Sequence, residues 1–262
     1  MTWERDPERP ADAAGEASLA DEAAPEWRNH APDVLSPIDE SAPVSGHHPP
    51  LERERPPSEF AEREWPAASG QVMPILRPRG SAGTRLDALS PDSLAQAGQK
   101  HHALPVTDAG PMELEIAYVL RTGTFEVFIN ADHLLEWRID PATLRSTAIA
   151  NLGLWSSMAP WTDELSGERR LMSSDTGEGG DATRILLPEV RQHLAEELGA
   201  GGRVLVGLPD RDLLVAGTLV SGDGDFADLF RDFVTDHSSG ADEPIDGRVF
   251  ELVGGQLTPF QA

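Results

Sequence analysis

Regular apolar patterning begins near residue 71 and continues to the end of the chain. Residues 71–76 form the first apolar run, and Pro74 within it predicts an edge strand, because proline has no N–H to donate to a ladder. Residues 79–111 scatter Gly, Ser, Pro and Asp and predict one long loop, an uncommon length inside a packed domain. Leu114, Ile116, Tyr118 and Leu120 then alternate, and so do Phe125, Val127 and Ile129. This period of two predicts a β-hairpin over 114–130 that turns at Thr122-Gly123. A second hairpin is predicted over 203–208 and 212–220, whose near-continuous apolar runs suit the middle of a covered sheet. A third surrounds Gly254-Gly255, with 249–253 and 256–258 as its strands. Residues 162–180 mix polar and glycine-rich stretches, with a strand at 169–173.

Helical spacing fills the intervals. A short helix is predicted over 131–138. Asp140 can cap the next one, and Pro141 suits its first position, where a missing N–H costs nothing. Leu144, Ala148, Leu152 and Trp155 share one face of that helix, and Pro160 lies beyond its end. Asp181 opens another helical pattern with Leu187, Val190, Leu194 and Leu198 as its stripe and Gly199 as its stop. Pro188 either kinks this helix or starts a second one after Leu187. Phe226, Leu229, Phe230, Phe233 and Val234 complete an amphipathic stripe behind an acidic first turn. Short turns between neighbouring strands imply the α+β class: a single domain with a mainly antiparallel sheet of three hairpins, packed by three to four helices.

Composition changes the picture at the N-terminus. Residues 1–70 hold 11 of the 22 prolines, 16 acidic residues and 6 arginines. Such a segment buries too little apolar surface to offset its ordering entropy. The expectation is a disordered, acidic, proline-rich tail over 1–70 and one α+β domain over 71–262. Trp3, Trp27 and Trp65 each sit among charges in that tail, either as docking anchors or by accident of spacing. The net charge of −24 disfavours phosphate backbones and anionic membrane surfaces, so neither nucleic acid nor membrane is an expected partner. Arg77, Arg79 and Arg85 form a modest basic cluster, either a solvated arginine-bearing loop or a site for an acidic partner. The chain has no cysteine, which excludes disulfides and thiolate chemistry. It shows no secretory pattern and no apolar run near the ~20 residues that span a bilayer, so a cytoplasmic location is expected.

Candidate chemistry is sparse. No phosphate-binding glycine loop, zinc-protease helix or nucleophile elbow is present. His47-His48 and His101-His102 lack nearby ligands at ordered spacing, so no metal and no cofactor is expected. Asp223, Asp225 and Asp228 fail the calcium-loop spacing and read as helix capping. Two charged groups remain. Asp181 and Arg184 share one helical turn, either as a polar site or as a cap with a surface ion pair. Asp210, Arg211 and Asp212 form a charged turn, either touching a ligand or serving ordinary turn chemistry. These five are the candidate binding residues, and no catalytic residue is assigned.

Four segments then stand out in order: Val72-Met73-Pro74-Ile75-Leu76-Arg77, Asp181-Ala182-Thr183-Arg184-Ile185-Leu186, Val206-Gly207-Leu208-Pro209-Asp210-Arg211-Asp212 and Gly255-Gln256-Leu257-Thr258-Pro259. Together with Asn151-Leu152 they resemble the YtpQ-like family of bacterial proteins, a domain of unassigned function. The resemblance covers about residues 71–262, with an insertion-like stretch near 79–110. It implies a bacterial, cytoplasmic protein and no particular reaction. The reading that follows is a non-enzymatic interaction or regulatory module with a protein partner. The alternative is an enzyme with a polar site near Asp181, Arg184 and Asp212.

Overall fold

A computed structural model describes residues 64–90, 104–122 and 125–261, all within the unit Arg53–Ala262. Helix α1 (Trp65–Ala68) leads through a 3-10 turn into β1 (Val72–Arg77). Then come β2 (Thr84–Arg85), β3 (Val106–Ala109), β4 (Glu115–Thr122) and β5 (Phe125–Phe128). Helices α2 (Ala131–Trp137) and α3 (Pro141–Met158) precede the pair β6 (Thr162–Ser166) and β7 (Arg169–Ser174). A 3-10 turn at Ala182–Leu186 enters α4 (Pro188–Leu198), followed by β8 (Arg203–Asp210) and β9 (Leu213–Leu219). Helix α5 (Gly224–Gly240) and the hairpin β10 (Pro244–Val253) and β11 (Gln256–Pro259) close the chain.

The class is α+β, but with two mainly antiparallel sheets where one was expected. The first has the order β1-β4-β3-β2, with β5 also paired to β4; its β2–β3 pairing is parallel. The second has the order β11-β10-β8-β9-β7-β6 and is antiparallel throughout. The three expected hairpins are present as β4–β5, β8–β9 and β10–β11, and β6–β7 adds a fourth. The turn of the first, residues 123–124, lies outside the described residues.

Apolar faces set the layers. Val72, Tyr118, Leu120 and Ile129 on one face of the first sheet bury against Leu134, Trp137, Leu144 and Ala148 of α2 and α3. Met73, Ile75, Ala117 and Val119 on its other face meet Ile185, Leu187, Leu194 and the inner face of the second sheet. Leu205, Val215 and Val249 on the far side of the second sheet are covered by Phe226, Phe230 and Val234 of α5. Both sheets are thus covered on two faces, which explains the near-continuous apolar runs of β8 and β9.

Capping follows the sequence. Asp140 Oδ1 accepts from Thr143 N at 2.7 Å, and Pro141 opens α3. Pro188 opens α4 rather than kinking it, since the preceding turn is a separate 3-10 segment. Asp223 caps α5 through Phe226 N at 3.3 Å and holds Arg169 in a fork at 2.6 and 2.7 Å.

Three expectations need correction. Residues 64–70, expected in the tail, belong to the folded layer. Trp65 packs on Trp137 with ring centroids 5.5 Å apart, and Ala68 is buried. Trp65 therefore has a core to enter, whereas Trp3, Trp27 and the disorder expected of residues 1–63 lie outside the described residues. The stretch 79–111 is not one loop, because β2, a 3-10 turn at Leu86–Ala88 and β3 build the first sheet from it; residues 91–103 lie outside the described residues. Leu229 and Phe233 of the α5 stripe are exposed, because the helix touches its sheet along the narrower line of Phe226, Phe230 and Val234. Among the described residues no helix is long and apolar enough to cross a membrane.

Candidate functional site

The four segments singled out in the sequence converge on the 3-10 turn Ala182–Leu186. Leu76 N of β1 donates to Thr183 Oγ1 at 3.0 Å. Ala182 N donates to the Arg211 carbonyl at 3.2 Å, which fastens the β8–β9 turn. Arg191 of α4 donates to the Gly255 carbonyl at 2.8 Å and to the Ile185 and Leu186 carbonyls at 2.7 and 2.8 Å. Asn151 completes the frame by donating to the Ser69 and Val72 carbonyls, each at 2.8 Å. Residues far apart in sequence are joined here by hydrogen bonds outside the sheet ladders, most of them between a side chain and a backbone group, which anchor one segment on another without a continuous sheet.

Within this frame the five candidate residues separate into two groups. Asp181 is 0% exposed and Arg184 2% exposed. The Asp181 carboxylate accepts from the Ser174 hydroxyl, from Thr176 N at 3.1 Å and from Thr176 Oγ1 at 2.7 Å. Arg184 donates to Ser174 Oγ at 2.5 Å and to Ser156 Oγ at 3.0 Å. It also donates to the carbonyls of Ser156, Ala159 and Pro160 at 3.2, 3.4 and 3.3 Å. Acid and base meet through Ser174, and Trp161 covers the guanidinium, with Cζ 4.1 Å from its ring centroid. Burial pulls Arg184 below its ordinary pKa, and the charge of Asp181 acts against that. The three carbonyls lie at and just past the end of α3, where a helix leaves acceptors without partners and favours a cation. Arg184 is therefore a buried clamp on that helix end, not a surface group. One edge of it borders a hollow of about 380 Å³ beside Trp161, Glu189 and His193.

The turn at Asp210, Arg211 and Asp212 is more open. Asp210 Oδ1 accepts from Asp212 N at 2.7 Å, an ordinary turn bond. Burial raises the Asp210 pKa, and the charges of Asp212 and Asp175 add to the rise. Asp212 accepts from Gly179 N, while Arg211 Nε donates to the Gly179 carbonyl at 3.0 Å. Gly179 has φ +71°, and a Cβ there would stand 2.7 Å from the Arg211 guanidinium, so this position requires glycine. Arg211 also pairs with Glu126 of β5 and, at 3.1 Å, with Glu243. Although burial acts to lower it, Glu126 and Glu243 hold the Arg211 pKa above its ordinary value.

Those pairings line a cleft of about 460 Å³ formed by Arg121, Glu126, Glu178, Arg211, Asp212 and Glu243 with the backbone of Gly177 and Gly179. Arg121 Nε donates to Glu126 Oε1 at 3.0 Å, and Trp155 Nε1 donates to Glu178 Oε2 at 2.6 Å. Arg211 and Asp212 thus join one open cleft, from which Asp181 and Arg184 are set apart. Sequence reasoning missed Glu126, Arg121, Glu178, Ser156, Ser174 and Trp161. Glu126 follows the period-two apolar pattern of β5 and could have been flagged only as its polar interruption; the others carry no local signal.

Next to the cleft, β5 exposes Phe125 at 73%, with Val127 and Phe128 also exposed. Among the described residues no three His, Cys, Asp or Glu side chains are placed to hold a metal. Compared with family models, curated proteins and solved structures, the chain matches none.

Proposed function

We propose that this protein is a non-enzymatic interaction or regulatory module of the bacterial cytoplasm, akin to the YtpQ-like family, and that its partner is a protein. The observation that carries the reading is the exposed apolar strand β5 beside a charged, open cleft. Exposed aromatic and branched side chains grouped on one element, rimmed by charges, are the usual composition of a protein-binding surface. Glu126 ties that strand to Arg211, so the β8–β9 turn meets β5 on its Glu126 side, while Phe125 and Val127 project from the opposite side of the same strand. The recognition surface is therefore drawn from Arg211, Asp212 and β5, without Asp181 and Arg184. The burial of Asp181 and Arg184 in a saturated network favours this reading over an enzyme that needs both beside Asp212.

The test is affinity purification of the full chain from its native cell, with Phe125→Asp as the variant. Phe125 is largely exposed, so the thermal transition should be unchanged while an identified partner is lost. Equal recovery of that partner by both proteins would refute the reading.

A further inference from the structure

Strand β5 occupies a particular place in the first sheet. Its partner β4 is paired along one edge by β1, over Glu115–Leu120. Along the other edge β4 is paired by β3 over 115–117 and by β5 over 119–122, one after the other. Strand β2 covers the outside of β3. Apart from the isolated bridge of Pro105 with Asn130 just beyond its C-terminal end, no strand among the described residues covers the outside of β5.

Hydrogen-bond alternation identifies the groups that face this outer edge. Ile129 N donates to the Tyr118 carbonyl at 2.8 Å, and the register of Val119 with Phe128, carried one residue further, sets Ile129 opposite Tyr118. In an antiparallel pair, bonded and non-bonded positions alternate. Phe125 and Val127 therefore direct their backbone groups toward β4, and the N–H and C=O of Glu126 and Phe128 face outward. An uncovered edge of this kind is a template for strand addition.

Charge selects the occupant. The cleft at the foot of β5 carries Glu126, Glu178, Asp212 and Glu243 against Arg121 and Arg211, and Glu126 already neutralises part of both arginines. The chain as a whole carries −24. A second copy would bring the same charge to the same edge, and the acidic first 63 residues would do likewise. A basic segment from another protein meets no such opposition.

We infer that the outer edge of β5 accepts an extended, basic segment of a partner protein as an added strand. The added backbone bonds to Glu126 and Phe128, its apolar side chains lie on Phe125 and Val127, and its Lys or Arg residues reach Glu178 and Glu243. This inference rests on the reading of the protein as an interaction module and adds the partner's chemistry and binding mode.

The experiment uses the full chain and two labelled synthetic peptides with blocked ends, both alternating with valine and threonine. One carries lysine and the other glutamate at the alternate positions. The lysine peptide should bind at least about tenfold more tightly than the glutamate peptide, with an affinity that falls as salt rises. Amide exchange should slow at Glu126 and Phe128 when the lysine peptide binds, and change little at Phe125 and Val127. The variant Glu243→Gln, at a largely exposed side chain, should weaken the lysine peptide severalfold without altering the thermal transition. Equal binding of the two peptides overturns the inference, as does binding without new protection at Glu126 and Phe128. Slow exchange of those two amides in the protein alone also overturns it, because a segment of this chain then occupies the edge. Concentration-dependent dimerisation through the same amides assigns the edge to a second copy and likewise overturns it. A partner that depends on Phe125 while the lysine peptide fails leaves the interaction module standing and removes only the basic strand.

Discussion

Replacing Arg184 by methionine should unfold the protein far more readily, rather than detach a partner. Methionine keeps an unbranched stem of similar reach and removes every donor. Five hydrogen bonds of 2.5–3.4 Å are lost with the guanidinium, together with its contact on Trp161. The Asp181 carboxylate stays in place, 0% exposed, with its hydroxyl and N–H donors but without the cation that balances it. Removing one member of a buried, hydrogen-bonded charge group costs about 3–5 kcal/mol, against about 0–1 kcal/mol for an exposed ion pair. The loss is a large fraction of the roughly 5–15 kcal/mol that holds a typical domain folded. Urea denaturation followed by circular dichroism measures it as a lower midpoint at unchanged slope. Asp181→Asn in both backgrounds completes a double-mutant cycle, and coupling of about 0.5–3 kcal/mol is expected between residues of one network. A loss below about 1 kcal/mol for Arg184→Met would refute the clamp and return Arg184 to the surface.

Three further outcomes are expected. Phe230→Ala should lower stability by about 3–5 kcal/mol in urea, since the ring is 3% exposed between α5 and the second sheet; a change under about 0.5 kcal/mol would place it outside the core. Trp65→Ala should cost about 1–3 kcal/mol through lost packing on Trp137, and no loss of thermal midpoint would detach α1 from the folded layer. Asp210 has a folded pKa above its ordinary 3.8, so the native state binds its proton first and loses stability from this group as pH rises through the raised pKa. Asp210→Asn keeps the acceptor for Asp212 N and should raise the urea midpoint at neutral pH, by an amount that vanishes as pH falls toward 3.8; an advantage that grows on acidification would refute the assigned cause.

Local structure was legible because its causes are local. Asp140 with Pro141, the alternation over 114–120 and the pair Gly254-Gly255 each state an element within a few residues, and each element forms where expected. The stretch 79–111 misled because β2 and β3 are short and are held by pairing with each other and with β4, which leaves no periodic pattern of their own. Trp65 misled for a related reason: its partner Trp137 is distant in sequence, so nothing beside it announces a core.

The amino-acid order by itself determined the class, the starts of α2, α3 and α5, three of the four hairpins and the exclusion of thiol chemistry, because capping, turn geometry and apolar period act over one or two turns of chain. Only the tertiary structure decided that strands from distant segments form two sheets, since pairings such as β1 with β4 and β7 with β9 depend on which apolar faces meet. It also decided the meaning of the charges. Asp181 and Arg184 look like a surface pair in one dimension, yet the end of α3, Ser174 and Trp161 enclose them. Arg211 and Asp212, with the same kinds of charge, face an open cleft because Glu126 arrives from β5 on the other sheet. Burial of a charge is set by what the rest of the chain places around it, and that information is not local.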